Sequence, residues 1–193
     1  EGKISISYIE FYPSVWQLVP YPEGSLTWSH MWFVVYLFVF CMLLIPVFAL
    51  FKISFFYNAK RRVADLLSGP LALSLLFIPF MLYHFTLYIE YPEQGSLLDD
   101  WFLFLFSMTL LLYGYVLGGS DMFWDTCARY RYYFLGTAIA CIMYLFPEYW
   151  WNLDLPKVND KRLYIFGILN SLHIWMIILS ILGFAKTHLN FSN

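Results

Sequence analysis

Charged residues are scarce in this chain of 193 residues: Asp, Glu, Lys and Arg make up 12% of it, while 61% is hydrophobic and 23% is aromatic. A soluble domain usually has roughly 25% charged and 45–50% apolar residues. The composition therefore excludes an ordinary soluble domain and indicates a membrane protein. The net charge of −2 also leaves no basic stripe for nucleic acid, so no nucleic-acid partner is expected.

Cysteines and catalytic signatures are equally sparse. Cys41, Cys127 and Cys141 are odd in number and have no metal-ligand or redox spacing, so we expect free thiols and no metal site. The sequence contains no GxSxG, no HExxH and no phosphate-cradling glycine loop. The sequence therefore lacks the common catalytic signatures of soluble hydrolases, zinc proteases and nucleotide-binding enzymes.

Long charge-free runs are what the chain has in abundance. A hydrocarbon core of about 30 Å requires about 20 helical residues, and five runs approach or exceed that length. We predict an all-α fold, a polytopic membrane helix bundle with about five transmembrane helices in one membrane domain over residues 1–193. The predicted helices lie near residues 30–52, 67–90, 100–119, 130–148 and 163–185.

Both ends of the chain favour a fragment of a longer protein. The aromatic and polar lead that begins at Glu1 resembles an outer interfacial loop, which an earlier helix would have to reach, and not a signal peptide. The chain ends at Asn193, just after the last predicted helix. We therefore expect an internal piece of a longer multi-spanning protein.

The distribution of Lys and Arg predicts the orientation, because short cytoplasmic loops are enriched in basic residues. A basic segment follows the first predicted helix, whereas the next loop, residues 90–100, has four acids and no basic residue. The two loops are therefore assigned to opposite sides of the membrane. The basic residues that alternation assigns to the inner side are Lys52, Lys60, Arg61, Arg62, Arg129, Arg131 and Lys186.

A few polar residues interrupt the apolar runs and are candidate functional residues. His84 lies six residues before Glu90, and Asn170 and His173 are three apart, so they share a helix face. Ionisable groups within a membrane are costly and often functional. Two interpretations stay open for these side chains, because Asn and His serve both in substrate sites and in hydrogen bonds between helices.

Glycine and proline give further structural expectations. Gly114 and Gly118 form a GxxxG pair, which predicts close approach of a neighbouring helix. Pro46 and Pro79 lie inside predicted helices, where the missing N–H predicts kinks.

Three separated stretches, which begin at Ser29, Leu97 and Leu169, resemble the membrane acyltransferase 3 family, in the family's order and over nearly the whole chain. The stretch "SHMWFVVYLFVF" is similar to the entry of a middle helix of that family. The stretch "LLDDWFLFLFSMTLLLYGYVLGGSDMFWDTCARYR" is similar to a later helix and its inner loop. The stretch "LNSLHIWMIILSILGFAKTHLN" resembles the ending found in members of the glucan succinyl-transferring type.

The resemblance implies an integral enzyme of the bacterial cytoplasmic membrane. Such an enzyme moves an acyl group from acyl-CoA to a hydroxyl of an extracytoplasmic carbohydrate or glycan, and no bound cofactor is implied. The family has about ten membrane helices, and its proposed catalytic histidine follows a basic residue by ten intervening residues in the first helix. That helix is expected upstream of Glu1, so this chain alone is expected to be inactive.

The resemblance also suggests roles for individual residues. The expected substrate-binding residues are His30, Trp32, Asp100 and Trp101 at the outer mouth and Asn170 near mid-membrane. The expected attractors of the acyl-CoA phosphates at the inner side are Arg61, Arg62, Arg129 and Arg131. Arg162 and His173 are also separated by ten residues, which makes His173 a weak candidate for the catalytic base.

A non-catalytic membrane subunit, or part of a transporter, is the alternative from a different functional class. In that case the polar residues would line a path or hold helices together. The two halves of the chain do not contain the matching interrupted helices that transporter repeats usually have.

Overall fold

The structure, a computed structural model, describes residues 32–88, 90–91, 100–151 and 161–189. The described residues form helices and turns, with no strand among them. The helices are α1 Trp32–Leu50, α2 Ser54–Leu67, α3 Pro70–Leu75, α4 Ile78–Thr86, α5 Trp101–Leu117, α6 Asp121–Leu145 and α7 Lys161–His188. A π-helical segment, Phe146–Trp151, continues α6.

The membrane assignment is supported for some of these helices. Among the described residues, α1 and α7 are each long and apolar enough to cross a membrane. The total rises to four if two bent pairs each form one span: α2 with α3 and α4, bent by 93°, and α5 with α6, bent by 109°. The structure is thus helical with two to four candidate spans, and the predicted number of about five is not confirmed.

Prolines break the segment that was predicted as one helix near residues 67–90. Pro70 begins α3 and Pro79 lies in the first turn of α4, with Leu76 and Phe77 between the two helices. Proline lacks the N–H that an interior position requires, whereas the first turn of a helix leaves that donor unused. Pro79 therefore starts a helix instead of kinking one.

Two segments that the sequence analysis placed in inner loops are helical. α2 contains Lys60, Arg61 and Arg62, and α6 begins at Asp121, ten residues before Arg131. The search for charge-free runs ended every helix at its first charge. Outside a hydrocarbon core, charged side chains do not end a helix, so this criterion cut the helices short.

The interior of the bundle forms where α3 to α7 meet. α6 and α7 share the most extensive interface and run antiparallel, since Ala138 pairs with His173 while Arg131 pairs with Ser180. The buried core cluster comprises Leu73, Phe80, Leu117, Phe123, Cys127, Phe134, Ala138, Trp175, Met176 and Leu179. All three cysteines are free, with Cys127 and Cys141 buried and Cys41 exposed.

α1 packs along α5 through one stripe of its surface. Tyr36, Phe40 and Leu44 are buried at four-residue intervals, and the Phe40 and Phe104 ring centroids are 4.9 Å apart. At the other end of the pair, the Phe48 and Tyr115 centroids are 4.3 Å apart. The remaining apolar surface of α1 is exposed, as expected of a helix that faces lipid.

Candidate functional site

A cleft of about 570 Å³ lies between α2 and the turn that connects α5 to α6. α2 supplies one wall through residues spaced three or four apart, which share one helix face. The other wall comes from the end of α5 and the start of α6. The lining residues are Tyr57, Lys60, Arg61, Ala64, Asp65, Val116, Gly119, Ser120, Asp121 and Met122.

Polar contacts hold the two walls of the cleft together. The Ser120 hydroxyl donates a hydrogen bond of 2.8 Å to Asp65 Oδ1, which fixes α2 to the start of α6. Lys60 Nζ lies 4.5 Å from the ring centroid of Tyr115 on α5. The Trp124 indole donates to the Gly118 carbonyl at 2.9 Å and so stabilises the turn itself.

The charges that line the cleft balance formally. Lys60 and Arg61 contribute two positive charges, and Asp65 and Asp121 contribute two negative ones. Such a site offers donors and acceptors to a polar ligand, but it lacks the excess positive potential that attracts polyanions from a distance.

The four arginines predicted to attract acyl-CoA phosphates are not gathered in one place. Arg61 lines the cleft, whereas Arg62 and Arg129 are exposed and are not among its lining residues. The Arg131 guanidinium lies 4.7 Å from the Tyr132 ring centroid and donates to the Ala128 carbonyl at 2.5 Å. Arg131 is therefore engaged by α6 itself.

His173 joins α6 to α7. Its Nδ1 is 2.9 Å from the Ala138 carbonyl oxygen. A carbonyl only accepts, so Nδ1 carries a proton, and in the neutral ring Nε2 has the lone pair. The contact holds the helices together and also gives the imidazole the tautomer that a general base requires.

The neighbours of His173 on α7 were also predicted to be functional. Asn170, one turn earlier, is half-buried. Arg162, at the start of α7, makes an ion pair of 3.0 Å with Glu148 Oε1 and donates to the Glu148 backbone carbonyl at 3.1 Å. The structure therefore shows Arg162 bound to the segment that follows α6.

The outer predicted site is only partly described. His30 lies outside the described residues, and of Trp32 only the helical backbone is described. Asp100 is fully buried, accepts from the Leu103 backbone N–H at 3.3 Å and contacts the Tyr36 hydroxyl through a side-chain hydrogen bond. Asp100 is thus the N-cap of α5, whose first residue, Trp101, is 45% exposed.

His84 is buried among aromatic rings. Its ring stacks on Tyr88 at 4.5 Å between centroids, and Phe102 and Phe166 approach it at 6.0 and 5.5 Å. Its Nε2 has no hydrogen-bond partner among the described residues. In the part of the chain that the structure describes, His84 therefore packs between helices and is not exposed to a cavity.

No metal cluster is present in the part of the chain that the structure describes: three or more His, Cys, Asp or Glu side chains nowhere come together there.

Comparison with known proteins gives no relative for this chain. The sequence matches no protein-family model and no curated protein, and its fold matches no solved structure.

Sequence analysis missed most residues of the cleft. Tyr57, Asp65, Ser120, Asp121 and Met122 were not singled out, because the walls belong to segments about fifty residues apart. The four-residue spacing of Tyr57, Arg61 and Asp65 could have indicated that these side chains share one face of a helix. Using that spacing required that the basic segment be predicted as a helix.

Proposed function

We propose that the chain is part of an integral-membrane O-acyltransferase of the bacterial cytoplasmic membrane. The enzyme would move an acyl group from acyl-CoA to a hydroxyl of an extracytoplasmic carbohydrate or glycan. The observation that carries the proposal is the resemblance of three ordered stretches to the acyltransferase 3 family. Helices that contain these stretches contact one another, since α1 packs on α5 and α6 on α7, which supports assigning them to one functional unit.

The donor side of the proposed reaction is the cleft beside α2. Lys60 and Arg61 supply charged donors for phosphate oxygens, and Tyr57 supplies a ring beside them. Arg62, Arg129 and Arg131 lie outside this cleft, so their proposed contribution is limited to the positive potential of the inner surface.

The acceptor side would be the outer end of α1 and α5. Trp101 presents an exposed indole for stacking on a sugar ring. Asp100 would act by fixing the first turn of α5, and His30, Trp32 and Asn170 remain proposed acceptor contacts.

Acyl transfer requires a base for the hydroxyl proton. The hydroxyl oxygen attacks the thioester carbon, the base takes the proton, and CoA leaves as a thiol after reprotonation. Within this chain His173 is the candidate base. Its Nδ1 donates to the Ala138 carbonyl, so the lone pair that can take the hydroxyl proton is on Nε2.

The test is acyl transfer from radiolabelled acyl-CoA to membrane glycan by the protein in its native membrane. We expect Arg61→Gln to raise the KM for acyl-CoA at least about tenfold. A hydrogen bond to a charged group contributes roughly 1.5–3 kcal/mol, and its loss weakens the binding of acyl-CoA by that amount. The exposed Tyr144→Phe change serves as the control. Unchanged kinetics in Arg61→Gln at a normal protein level would reject the cleft as the donor site.

A second candidate function, a non-catalytic membrane subunit or transporter part, is favoured by one observation. Polar side chains inside this bundle connect helices: the half-buried His173 binds Ala138, and the buried Ser180 and Trp175 bind Arg131 and Leu73. This candidate predicts that His173→Gln destabilises the protein without changing acyl transfer per folded molecule. A transporter would show altered flux of a solute and no acyl product.

A further inference from the structure

α2 has three different sides. At about 100° per residue, Phe55, Phe56, Val63 and Leu66 fall within an arc of about 100°, and all four are exposed. Phe55 is 72% and Leu66 77% exposed, so none of the described helices covers this apolar side. An uncovered apolar side on a helix of 14 residues requires an apolar environment.

The second side of α2 is polar and the third faces the protein. Asn58, Arg61, Arg62 and Asp65 recur three or four apart and form the polar side. On the third side, Ala64 is buried and contributes to the wall of the cleft. α2 is therefore attached to the bundle through Ala64 and through Asp65 on its polar side, which binds Ser120, while its apolar side is free of the described helices.

The position of α2 in the chain places it at a membrane boundary. It follows α1, a candidate span, after a turn of three residues, and precedes α3 and α4, from which it is bent by 93°. If the α3–α4 segment runs across the bilayer, a helix bent by 93° from that segment lies along the surface. Its length of about 21 Å at 1.5 Å per residue then extends in the membrane plane.

The charge of this region is positive at its exposed positions. Lys52, Arg61 and Arg62 are exposed, and so is Asp65, which accepts the hydrogen bond from Ser120, so the exposed charges still leave a net positive charge. Basic residues beside an apolar helix side are characteristic of helices that lie in the interface of anionic membranes.

We propose that α2 is an interfacial helix that binds the anionic phospholipid surface of the inner leaflet. Its apolar side enters the boundary between headgroups and acyl chains, and Lys52 and Arg62 contact lipid phosphates. α2 is then not the first half of a bent span. The inference does not depend on acyl transfer, since it uses only the amphipathic helix and its orientation.

Depth measurement on the reconstituted full chain tests the orientation. Nitroxide labels at Phe55→Cys, Asn58→Cys, Arg61→Cys and Val63→Cys are compared in bilayers for collision with oxygen and with a water-soluble nickel chelate. The background carries Cys41→Ser, because Cys41 is the exposed cysteine while Cys127 and Cys141 are buried. Label uptake by this background alone is subtracted.

The interfacial helix predicts an alternating pattern. Labels at 55 and 63 collide mainly with oxygen, and labels at 58 and 61 mainly with the nickel chelate. A steady rise of oxygen collisions along the helix would make α2 half of a span and overturn the proposal. Uniform access of the nickel chelate would also overturn it, because the apolar side would then face water or a soluble partner.

Lipid preference tests the charge component. The chain is placed in nanodiscs of phosphatidylcholine and phosphatidylglycerol in equal amounts, and native mass spectrometry counts the lipids that it retains. Each basic residue near an anionic surface contributes about a fivefold preference, so Lys52→Gln with Arg62→Gln should lower the phosphatidylglycerol ratio by at least about fivefold. An unchanged ratio overturns the assignment to anionic lipid.

Lys161→Gln is the matched control for that experiment. Lys161 is exposed at the start of α7, and α7 runs antiparallel to the α3–α4 segment, because Gly167 lies beside His84 while Trp175 binds Leu73. Lys161 is therefore at the opposite end of the bundle from α2. Its loss removes one exposed charge and should leave the lipid ratio unchanged, whereas an equal drop would show a general charge effect and overturn the proposal.

Discussion

The imidazole of His84 lies directly against Gly167, in the space that any larger side chain at position 167 would occupy. A Cβ at this position would overlap the His84 ring and lie 2.6 Å from Phe85 Cε1. This contact brings α4 and α7 together and closes the aromatic surroundings of His84, where Phe166 is also buried. The identity of residue 167 thus controls the fit between the two helices.

Gly167→Ala should lower the free energy of unfolding by about 1–3 kcal/mol, because an inserted methyl in a well-packed interface forces its neighbours to shift. Unfolding in mixed micelles by titration with denaturing detergent measures the change. Gly136→Ala is the control, since nothing lies within 4 Å of a Cβ there and alanine is the better helix former by roughly 1 kcal/mol. Equal effects of the two changes would contradict the packing role of Gly167.

Gly183→Ala should be at least as destabilising as Gly167→Ala. A Cβ on Gly183 would overlap the backbone carbonyl of Cys127 and lie 2.9 Å from Arg131 Cβ. Backbone atoms of α6 cannot rotate away as a flexible side chain can, so α6 and α7 would have to separate. Disulfide-trapping yields between cysteines placed on these two helices would fall, and unfolding would occur at a lower detergent fraction. A native trapping yield would disprove the close contact.

The glycines illustrate what the sequence could and could not predict. The GxxxG pair predicted close packing at Gly114, yet Gly114 is exposed and a Cβ there would meet nothing within 4 Å. The close contacts form instead at Gly167 and Gly183, neither of which belongs to a GxxxG pair. A spacing pattern shows that a helix has a small-residue side, but the partner helix decides whether that side is used.

The helical fold followed from the long apolar runs, but the helix boundaries did not. α2 was missed as a helix because it is amphipathic and basic, and charge was used as the end of each helix. The cleft was missed for the same reason, since it requires Asp65 on α2 and Ser120 at the start of α6, which are 55 positions apart. Contacts of that kind depend on how the helices are arranged, and no local pattern encodes them.

Asp100 and Tyr36 should show energetic coupling. Asp100→Ala removes the N-cap of α5 and should cost about 1 kcal/mol, while Asp100→Asn retains a capping acceptor and should cost less. Tyr36→Phe removes the hydroxyl that contacts Asp100 from α1. Residues in direct contact usually couple by about 0.5–3 kcal/mol in a double-mutant cycle of unfolding free energies. Strict additivity of Asp100→Ala and Tyr36→Phe would disprove the connection between α1 and α5.

The Trp175 indole should contribute to stability through its contact with a distant helix. Its Nε1 donates to the Leu73 carbonyl at 2.7 Å across 102 positions of sequence, and the side chain is 3% exposed. Hydrogen bonds between membrane helices contribute on average about 0.6 and at most about 1.7 kcal/mol, and Trp175→Phe also leaves unfilled space. We therefore expect Trp175→Phe to lower the free energy of unfolding by about 1–2 kcal/mol.

Trp124→Phe is the comparison that separates this contact from a general effect of losing an indole. Trp124 donates to Gly118, six positions earlier, and is half-buried, so water can replace its partner when the ring is changed. The cost of Trp124→Phe should therefore be well below that of Trp175→Phe in the same detergent titration. If the two variants lose equal stability, the bond from α7 to α3 contributes no more than a bond within a local turn. The close association of these helices must then arise from the apolar packing of the core cluster that contains Leu73, Met176 and Leu179.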